Sequence, residues 1–358
     1  MDKLILNILK KIEKFGYEAF IVGGYVRDKL LGIDTNDVDI CTNALPDDII
    51  KIFKLNKDTK SNYGSINIRM KKYNIDITTY RCESNYNNHR PNIKYINDLK
   101  LDLLRRDFRV NSILMNSKEE IIDVNNGIED LNNKLIKCIG NTKQKLSEDP
   151  LRILRAIRFS VIYDFKLDKN ILEFIKENKE LIRTISYFRK KEELDKILYS
   201  KNKLNGLKLL KNLELLDVLE INYNEVKYTE DIYGIYSQIN FSEKYPFSKE
   251  TNKLLNSIKE IIELKDINNY TLYKYGLYVN KIAGEILGIE LNKINKIYKL
   301  LPIKRRKDIK ISVKSIVKIN NNCYNKINEI YEALEDNILS GKLKNNRKEI
   351  INFIRKRG

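Results

Sequence analysis

A change in hydrophobic period along the chain limits most strongly what this sequence can fold into. Over residues 19–81, short runs rich in β-branched residues alternate with turn signals. From about residue 143 onward, apolar residues recur at helical spacing almost to the end. The first part predicts a sheet and the second a series of helices. We therefore expect an α+β fold, in which a small mixed β-sheet head is followed by an elongated all-α neck, body and tail.

The pattern also predicts the individual elements. An amphipathic helix opens the chain, and a short helix over 25–31 ends at Gly32. The predicted strands cover residues 19–22, 38–42, 65–70 and 75–80. The later predicted helices cover 170–181, 190–200, 203–218, 251–264, 271–287, 291–300, 325–340 and 346–356. With 358 residues the chain exceeds one ordinary domain, and we expect divisions at 1–140, 141–200 and 201–358.

Cysteine and histidine usage restricts the metal chemistry. The four cysteines lie far apart without a CxxC pair, which argues against a zinc ribbon or a disulfide framework and favours a reducing cytoplasm. The chain has one histidine, so a catalytic metal would bind to carboxylates, which favours Mg²⁺ or Mn²⁺. No stretch approaches the ~18 apolar residues of a membrane span, and no membrane partner is expected.

Charge is divided unevenly along the chain. The formal net charge is +18, of which residues 1–150 carry +3 and residues 151–358 carry +15. A broad positive field attracts a polyanion such as nucleic acid. The sequence is rich in Lys, Asn and Ile throughout, however, and lysines on helices are commonly a solvated surface. Charge alone favours nucleic-acid binding only slightly.

A glycine pair stands between the first strand and the helix that follows it. The segment 23–28 reads GGYVRD, and Gly23 and Gly24 would let the backbone approach a ligand closely. The start of a helix suits a phosphate, and Arg27 adds positive charge one turn later. Such a turn is often only a tight connection, so its neighbours decide its meaning.

Three acids accompany this turn. Asp37 and Asp39 are two residues apart on a predicted strand and project from one face, and Asp76 begins a later strand. The neighbouring Ile33, Val38 and Ile40 predict a largely buried strand. Carboxylates that close repel one another unless a cation lies between them. The arrangement is typical of two-metal phosphoryl transfer, with Asp37 and Asp39 as metal ligands and Asp76 as the third catalytic acid.

Together these residues resemble the nucleotidyltransferases of the DNA polymerase β superfamily. Further motifs are similar to those of class II tRNA nucleotidyltransferases (CCA-adding enzymes) and bacterial poly(A) polymerases. These motifs are LRRDFRVN at 104–111, Asp123 and Gly127 with EDL at 129–131, and EDPLRILRAIRF at 148–159. The resemblance is close over 19–165 and weak beyond 200. It implies that the head holds metal and triphosphate, the neck reads the base, and the body and tail bind the tRNA acceptor stem and 3′ end.

The last of these motifs has a physical interpretation. Asp149 and Arg152 are spaced i, i+3, and Arg155 and Arg158 continue the same helical face. Cytosine and adenine present an amino donor beside a ring-nitrogen acceptor, whereas guanine and uracil present a carbonyl beside an N–H. A carboxylate acceptor with a guanidinium donor therefore fits C and A. The resemblance implies this selection for Asp149 and Arg152, with Arg155 and Arg158 on triphosphate or RNA and Arg106 on the nucleotide.

The sequence departs from the family pattern at two positions. Asp76 stands where many relatives carry Glu. The difference shortens the side chain, but either carboxylate can bind a metal ion. Phe188, in a segment similar to the family's last motif, stands where an acid is usual. Residues 83–91 look like the family's flexible loop at nearly full length, and we interpret His89 as a loop residue.

The implied activity is template-independent addition of CCA to tRNA 3′ ends from CTP and ATP, with the RNA 3′-hydroxyl attacking the α-phosphate and pyrophosphate leaving. An A-adding enzyme is a close alternative. A poly(A) polymerase is less favoured, because no long basic extension flanks the chain. A non-catalytic RNA-binding protein is a further alternative, against which the acids at 37, 39 and 76 argue.

Overall fold

The computed structural model describes residues 2–56, 61, 63–87, 90–319 and 326–357. The chain divides into two compact units, Met1–Glu220 and Ile221–Gly358. The predicted head and neck fall together in the first unit, and the finer division at 140 and 200 stays a prediction. The α+β class is confirmed, since a mixed sheet and many helices share the chain.

The head is built on a six-stranded mixed sheet. Its strands are β1 (Ala19–Val22), β2 (Asp37–Thr42), β3 (Ser65–Met70), β4 (Tyr73–Thr79), β7 (Leu114–Met115) and β8 (Ile121–Ile122). Their order across the sheet is β3-β4-β2-β1-β7-β8. β2 and β4 pair parallel, whereas the other neighbours pair antiparallel. The four predicted strands are all present, and those over 19–22 and 65–70 have the predicted bounds.

Exposed and buried residues alternate along β2, and this alternation determines which face of the sheet carries the acidic side chains. Val38 and Ile40 are buried while Asp37 and Asp39 are exposed, as a half-buried strand requires. Ile33, which we expected to help bury this strand, lies before it and is 45% exposed. The buried face receives α1 (Lys3–Lys14), whose apolar stripe includes Ile5 and Leu9.

Two smaller strand pairs accompany the sheet. β5 (Arg81–Asn87) and β6 (Arg90–Tyr95) form a hairpin from the predicted flexible loop, and His89 lies outside the described residues. The short β9 (Leu135–Ile136) and β10 (Lys166–Leu167) pair in parallel, which the sequence did not indicate because two residues carry no measurable period.

Helices complete the first unit. They are α2 (Gly24–Leu30), α3 (Pro46–Phe53), α4 (Leu99–Leu104), α5 (Gly127–Asn132), α6 (Thr142–Glu148), α7 (Leu151–Tyr163), α8 (Lys169–Asn178), α9 (Tyr187–Leu198), α10 (Lys203–Asn212) and α11 (Leu216–Leu219). The single helix predicted over 203–218 is wrong, because Glu214 adopts a φ of 54° and interrupts it. Asp149 precedes α7 in an extended conformation (φ −140°, ψ 99°), so its predicted place on the helical face is also wrong.

The second unit is mainly helical. It contains β11 (Ile221–Asn222), α12 (Ile232–Ser237), β12 (Asn240–Phe241), α13 (Lys249–Leu264), α14 (Asn269–Leu287), α15 (Leu291–Lys299), α16 (Val313–Ile319), α17 (Ile327–Leu339) and α18 (Arg347–Arg357). Ile258 of α13, Ile282 of α14 and Leu334 of α17 belong to one buried core. Within the described ranges, every helix is too short or too polar to cross a membrane.

Candidate active site

A cavity of about 450 Å³ opens within the first unit, lined by residues of the head, α7 and α9. Nine of the eleven predicted site residues line it, and Asp37 and Asp76 lie on the adjoining strands β2 and β4. Its arginines are Arg27, Arg105, Arg106, Arg152, Arg155, Arg158 and Arg189, and its acids are Asp39, Glu83, Asp107 and Asp149. The excess of guanidinium groups suits a polyanion such as a nucleoside triphosphate.

The glycine turn between β1 and α2 reaches the cavity as predicted. Gly23 has a φ of 78°, a conformation that strongly favours glycine. A Cβ on this residue would stand 3.5 Å from the carbonyl oxygen of Asn111 and 3.6 Å from Oδ2 of Asp39. Gly24 begins α2 beside it. The turn thus brings backbone against the acid-bearing strand.

Arg27, one turn into α2, is 5% exposed. Its guanidinium donates to Asp28, Asn111 and the Tyr163 hydroxyl, and it stacks 4.3 Å from the centre of the Tyr163 ring. Tyr163 in turn donates to Asp28 over 2.9 Å. Arg27 therefore joins the head to α7 in addition to lining the cavity, a contact that the sequence did not indicate.

The three acids lie side by side. In the parallel pair β2·β4, Asp39 is the register partner of Asp76, and Asp37 is one pleat away on the same face. Asn67 donates to Asp76 over 2.9 Å. Asp39 is accessible to solvent but lies against the walls of the cavity, and the resulting desolvation raises its pKa; Arg106 opposes the rise, and the neighbouring Asp76 and Asp37 add to it. In the described part of the chain, no three acidic, cysteine or histidine side chains are placed closely enough to hold a metal ion.

Arg106 lies near Asp39, since a Cβ on Gly23 would be 3.9 Å from Arg106 Nη1 and 3.6 Å from Asp39 Oδ2. Its Nη2 pairs with Asp102 at 3.4 Å, and its buried Nε has no hydrogen-bond partner. Burial alone would lower the pKa of Arg106, but Asp102, Asp39 and other nearby anionic groups raise it overall. A buried donor without an acceptor is costly, so this guanidinium is suited to receive a ligand oxygen.

Asp149 and Arg152 face the cavity with different freedom. Asp149 accepts from the Leu151 N–H at 3.2 Å and from Arg189 Nη2 at 3.0 Å. Arg152 is held by the Lys145 carbonyl at 2.8 Å, the Arg105 carbonyl at 3.2 Å and Glu148 at 3.3 Å. Each oxygen of the Asp149 carboxylate thus keeps an acceptor position for a further hydrogen bond, and the Arg152 guanidinium is fixed in place.

Arg155 and Arg158 are both paired with carboxylates. Arg155 contacts Asp107 Oδ2 through Nη2 at 2.6 Å and Nε at 2.7 Å, and Arg158 pairs with Glu193 of α9 at 2.8 Å. Burial alone would raise the pKa of Asp107, but Arg155 and the hydrogen bonds from Asn111 and Phe108 hold it well below its usual range. These pairs were not predicted.

Other residues of the recognised motifs support the backbone instead of lining the cavity. Asp123 accepts from the N–H groups of Gly127 and Ile128, both at 2.8 Å, and so caps α5. A Cβ on Gly127 would lie 2.4 Å from the carbonyl oxygen of Arg109, which explains the glycine. Burial raises the pKa of Asp130 to about 6, against the opposing effect of Arg109.

Three family models match the chain. One described as "Poly A polymerase head domain" matches residues 19–137, and one described as "Probable RNA and SrmB-binding site of polymerase A" matches residues 164–223. A model of tRNA nucleotidyltransferase domain 2 matches residues 237–354. Together they extend from the sheet head into the helices of the second unit.

Curated relatives agree with these matches. A CCA-adding enzyme of Ligilactobacillus salivarius is 32% identical over 391 aligned positions, which cover 99% of this chain and 96% of the relative. A CCA-adding enzyme of Limosilactobacillus reuteri is 40% identical over 203 positions, or 56% of this chain and 50% of the relative.

Solved structures share the fold. The Bacillus stearothermophilus CCA-adding enzyme in complex with CTP superposes with a TM-score of 0.82 at 24% identity, covering 100% of this chain and 98% of that one. The Thermotoga maritima CCA-adding enzyme complexed with tRNA gives a TM-score of 0.72 at 21% identity, covering 100% and 96%.

Proposed function

The chain belongs to the family of CCA-adding enzymes and is a nucleotidyltransferase, and we propose that it adds CCA to tRNA 3′ ends without a nucleic-acid template. CTP and ATP are the nucleotide substrates. The 3′-hydroxyl of the RNA attacks the α-phosphate, a new phosphodiester bond forms, and pyrophosphate leaves. The observation that carries the proposal is that Asp39, Asp149 and Arg152 line one cavity. Asp39 is an acid suited to phosphoryl transfer, and Asp149 and Arg152 can form hydrogen bonds with a base.

Asp37, Asp39 and Asp76 are the residues that would hold divalent metal, Mg²⁺ or Mn²⁺, with Asp37 and Asp39 as the main ligands. The donors suit a hard cation because all of them are carboxylate oxygens, and the side chains would have to turn to close on an ion, since in this structure they are not placed closely enough to hold one. Bound metal supplies activation of the attacking hydroxyl and neutralisation of the phosphates. The exposure of Asp37 and Asp39 leaves both side chains free to turn toward an ion.

The triphosphate is assigned to the glycine turn and the arginines that lie beside these acids. Arg106 lines the cavity with a guanidinium that is 16% exposed, and the Gly23-Gly24 turn lets phosphate oxygens approach the backbone. Arg155 is 34% exposed and uses Nε and Nη2 on Asp107, which leaves Nη1 for a phosphate. Arg27 and Arg158 are more buried, and we assign them to holding Asn111 and α9 in place beside the nucleotide.

Base selection is assigned to Asp149 and Arg152. The carboxylate accepts from the amino group of cytosine or adenine, and the guanidinium donates to the adjacent ring nitrogen. Guanine and uracil would set a carbonyl against the carboxylate and an N–H against the guanidinium, leaving buried groups unpaired. Because two backbone carbonyls and Glu148 hold Arg152, little ordering is needed on binding.

The tRNA is assigned to the neck and the second unit. Residues 151–358 carry +15 of the +18 net charge, and a positive surface favours a polyanion through counterion release. The head is then residues 1–140, the base-reading neck 141–200, and the tRNA-binding body and tail 201–358. The free Cys41, Cys82 and Cys138 fit a cytoplasmic location.

The test uses purified protein, Mg²⁺ and tRNA lacking its last three nucleotides, with labelled CTP and ATP supplied singly and together. Addition of C, C and then A, ending there, is the expected result. Incorporation of A only onto tRNA already ending in CC would identify an A-adding enzyme instead. Long A tails would identify a poly(A) polymerase, and no incorporation under any condition would leave only RNA binding.

A further inference from the structure

Asp149 receives one hydrogen bond on each of its carboxylate oxygens. Oδ1 accepts from the Leu151 N–H at 3.2 Å, and Oδ2 accepts from Arg189 Nη2 at 3.0 Å. A carboxylate oxygen has two acceptor positions, so one position remains on each. The two donors fix the plane of the carboxylate and therefore the direction of the remaining positions.

Arg189 reaches Asp149 from a different element. It lies in the first turn of α9, which Ser186 caps by accepting from the Arg189 N–H at 3.4 Å. α9 packs against α7, and the Arg158–Glu193 ion pair ties the two helices together. The side chain of Arg189 is 33% exposed and lines the cavity. Its position is thus set by a capped helix whose packing is independent of Asp149.

We propose that Arg189 is a positioning residue that determines nucleotide specificity, because it orients the Asp149 carboxylate toward the amino group of cytosine or adenine. The proposal rests on the assignment of Asp149 to base selection. Without Arg189, the carboxylate keeps only the Leu151 N–H and rotates about its terminal bond. A rotated carboxylate no longer opposes the carbonyl of uracil or guanine, so selection against these bases weakens.

The experiment measures single-turnover incorporation of each of the four nucleotides by Arg189→Ala, Arg189→Lys and the unaltered protein. For Arg189→Ala we expect about a tenfold weaker apparent affinity for CTP and ATP, and about a tenfold loss of selection against UTP and GTP. The rate at saturating CTP stays within about threefold, since the phosphoryl groups are not contacted. Arg189→Lys recovers part of the selection, because an ammonium supplies the charge and one donor.

A matched control separates this role from loss of charge or folding. Arg183 is also an exposed arginine in an ion pair, with Glu180 at 2.8 Å, and it does not line the cavity. Arg183→Ala should leave all four nucleotides unchanged. If Arg189→Ala kept full selection, or lost rate equally with all four nucleotides, the positioning role would be overturned.

Asp149→Ala distinguishes this inference from the assignment beneath it. If Asp149→Ala relaxes selection while Arg189→Ala does not, base selection by Asp149 stands and the role of Arg189 fails. If Asp149→Ala leaves selection intact, the base-reading assignment itself fails. The double variant should select no worse than Asp149→Ala alone, and losses that add would contradict action through Asp149.

Discussion

The two sides of the cavity hold their charges in opposite ways. On the sheet side, Asp37, Asp39 and Asp76 share a face, and the pKa of Asp39 is raised by desolvation and, to a smaller extent, by the like charges of Asp76 and Asp37. On the helical side, Arg155 and Arg158 are each paired with a carboxylate within 3 Å. The sheet side is electrostatically incomplete until a cation arrives, whereas the helical side is already neutralised.

This difference separates what each side does. A site that binds a metal ion and a phosphate whose charge changes during the reaction binds them more strongly if its own charges are left unpaired in the free protein. A site that selects a base gains from groups fixed before the base arrives, because ordering them on binding would cost affinity. Substitutions on the sheet side should therefore affect mainly the rate, and substitutions on the helical side should affect stability as well.

Asp39→Asn gives the largest expected effect. The amide keeps the shape but loses the charge, and we expect transfer to fall by roughly 10³-fold or more. The free energy of unfolding should not decrease, since the change removes repulsion from Asp76 and Asp37. Measuring steady-state incorporation, tRNA binding and urea unfolding on one preparation tests all three statements.

The matched control is Asp34→Asn, an exposed acid that precedes β2 and does not line the cavity. It should leave incorporation unchanged. Activity of Asp39→Asn within tenfold of the unaltered protein would remove the metal-ligand assignment, and a matching loss of tRNA affinity would place Asp39 in RNA binding instead.

Arg155→Met tests the neutralised side. It leaves Asp107 without its ion-pair partner, and we expect the free energy of unfolding to fall by about 2 kcal/mol, less than for a fully buried pair because Arg155 is one-third exposed. The double variant Asp107→Asn with Arg155→Met should recover most of this loss. Recovery would show that the isolated carboxylate is responsible, and equal loss in both variants would contradict it.

The same pair predicts a pH dependence. The pKa of Asp107 is depressed in the folded protein, so its stabilising contribution is complete above its ordinary value of 3.8 and is lost as the pH falls below that value. The stability difference between the unaltered protein and Arg155→Met should be largest at pH 7, no larger at pH 5 and smallest at pH 3, because burial raises the pKa of an unpaired Asp107 and protonation then relieves the variant. Urea unfolding at the three pH values measures it, and a difference that grew in acid would contradict the ion pair.

The fold was predictable where periodicity extends over several residues. The strands at 19–22 and 65–70 and the helix ending at Leu264 follow directly from alternation or helical spacing. The two-residue strands β9 and β10 were not predictable, because they depend on pairing between distant segments. The helix breaks after Asn212 because Glu214 has a positive φ, and a glutamate in the sequence does not predict a positive φ.

The site was predictable in membership but less so in contacts. Nine predicted residues meet in one cavity because the recognised motifs keep their order along the chain. The sequence could not show that Asp149 stands before α7, nor that Arg155 pairs with Asp107. Arg189 adjoins Phe188 in a segment similar to the family's last motif, and the sequence of that segment does not indicate the hydrogen bond between Arg189 and Asp149.

Tyr163→Phe gives the smallest expected effect and tests how the two sides are joined. The phenyl ring keeps the stacking with Arg27, but the hydrogen bonds with Arg27 and Asp28 are lost. We expect about 1 kcal/mol lower stability and a decrease in kcat/KM of about fivefold, equal for CTP and ATP, since neither metal nor base is contacted. Tyr270→Phe, at an exposed tyrosine of α14 that does not line the cavity, is the control and should change neither. A loss confined to one nucleotide would assign Tyr163 to base selection, and the two sides would then be less distinct than their charges indicate.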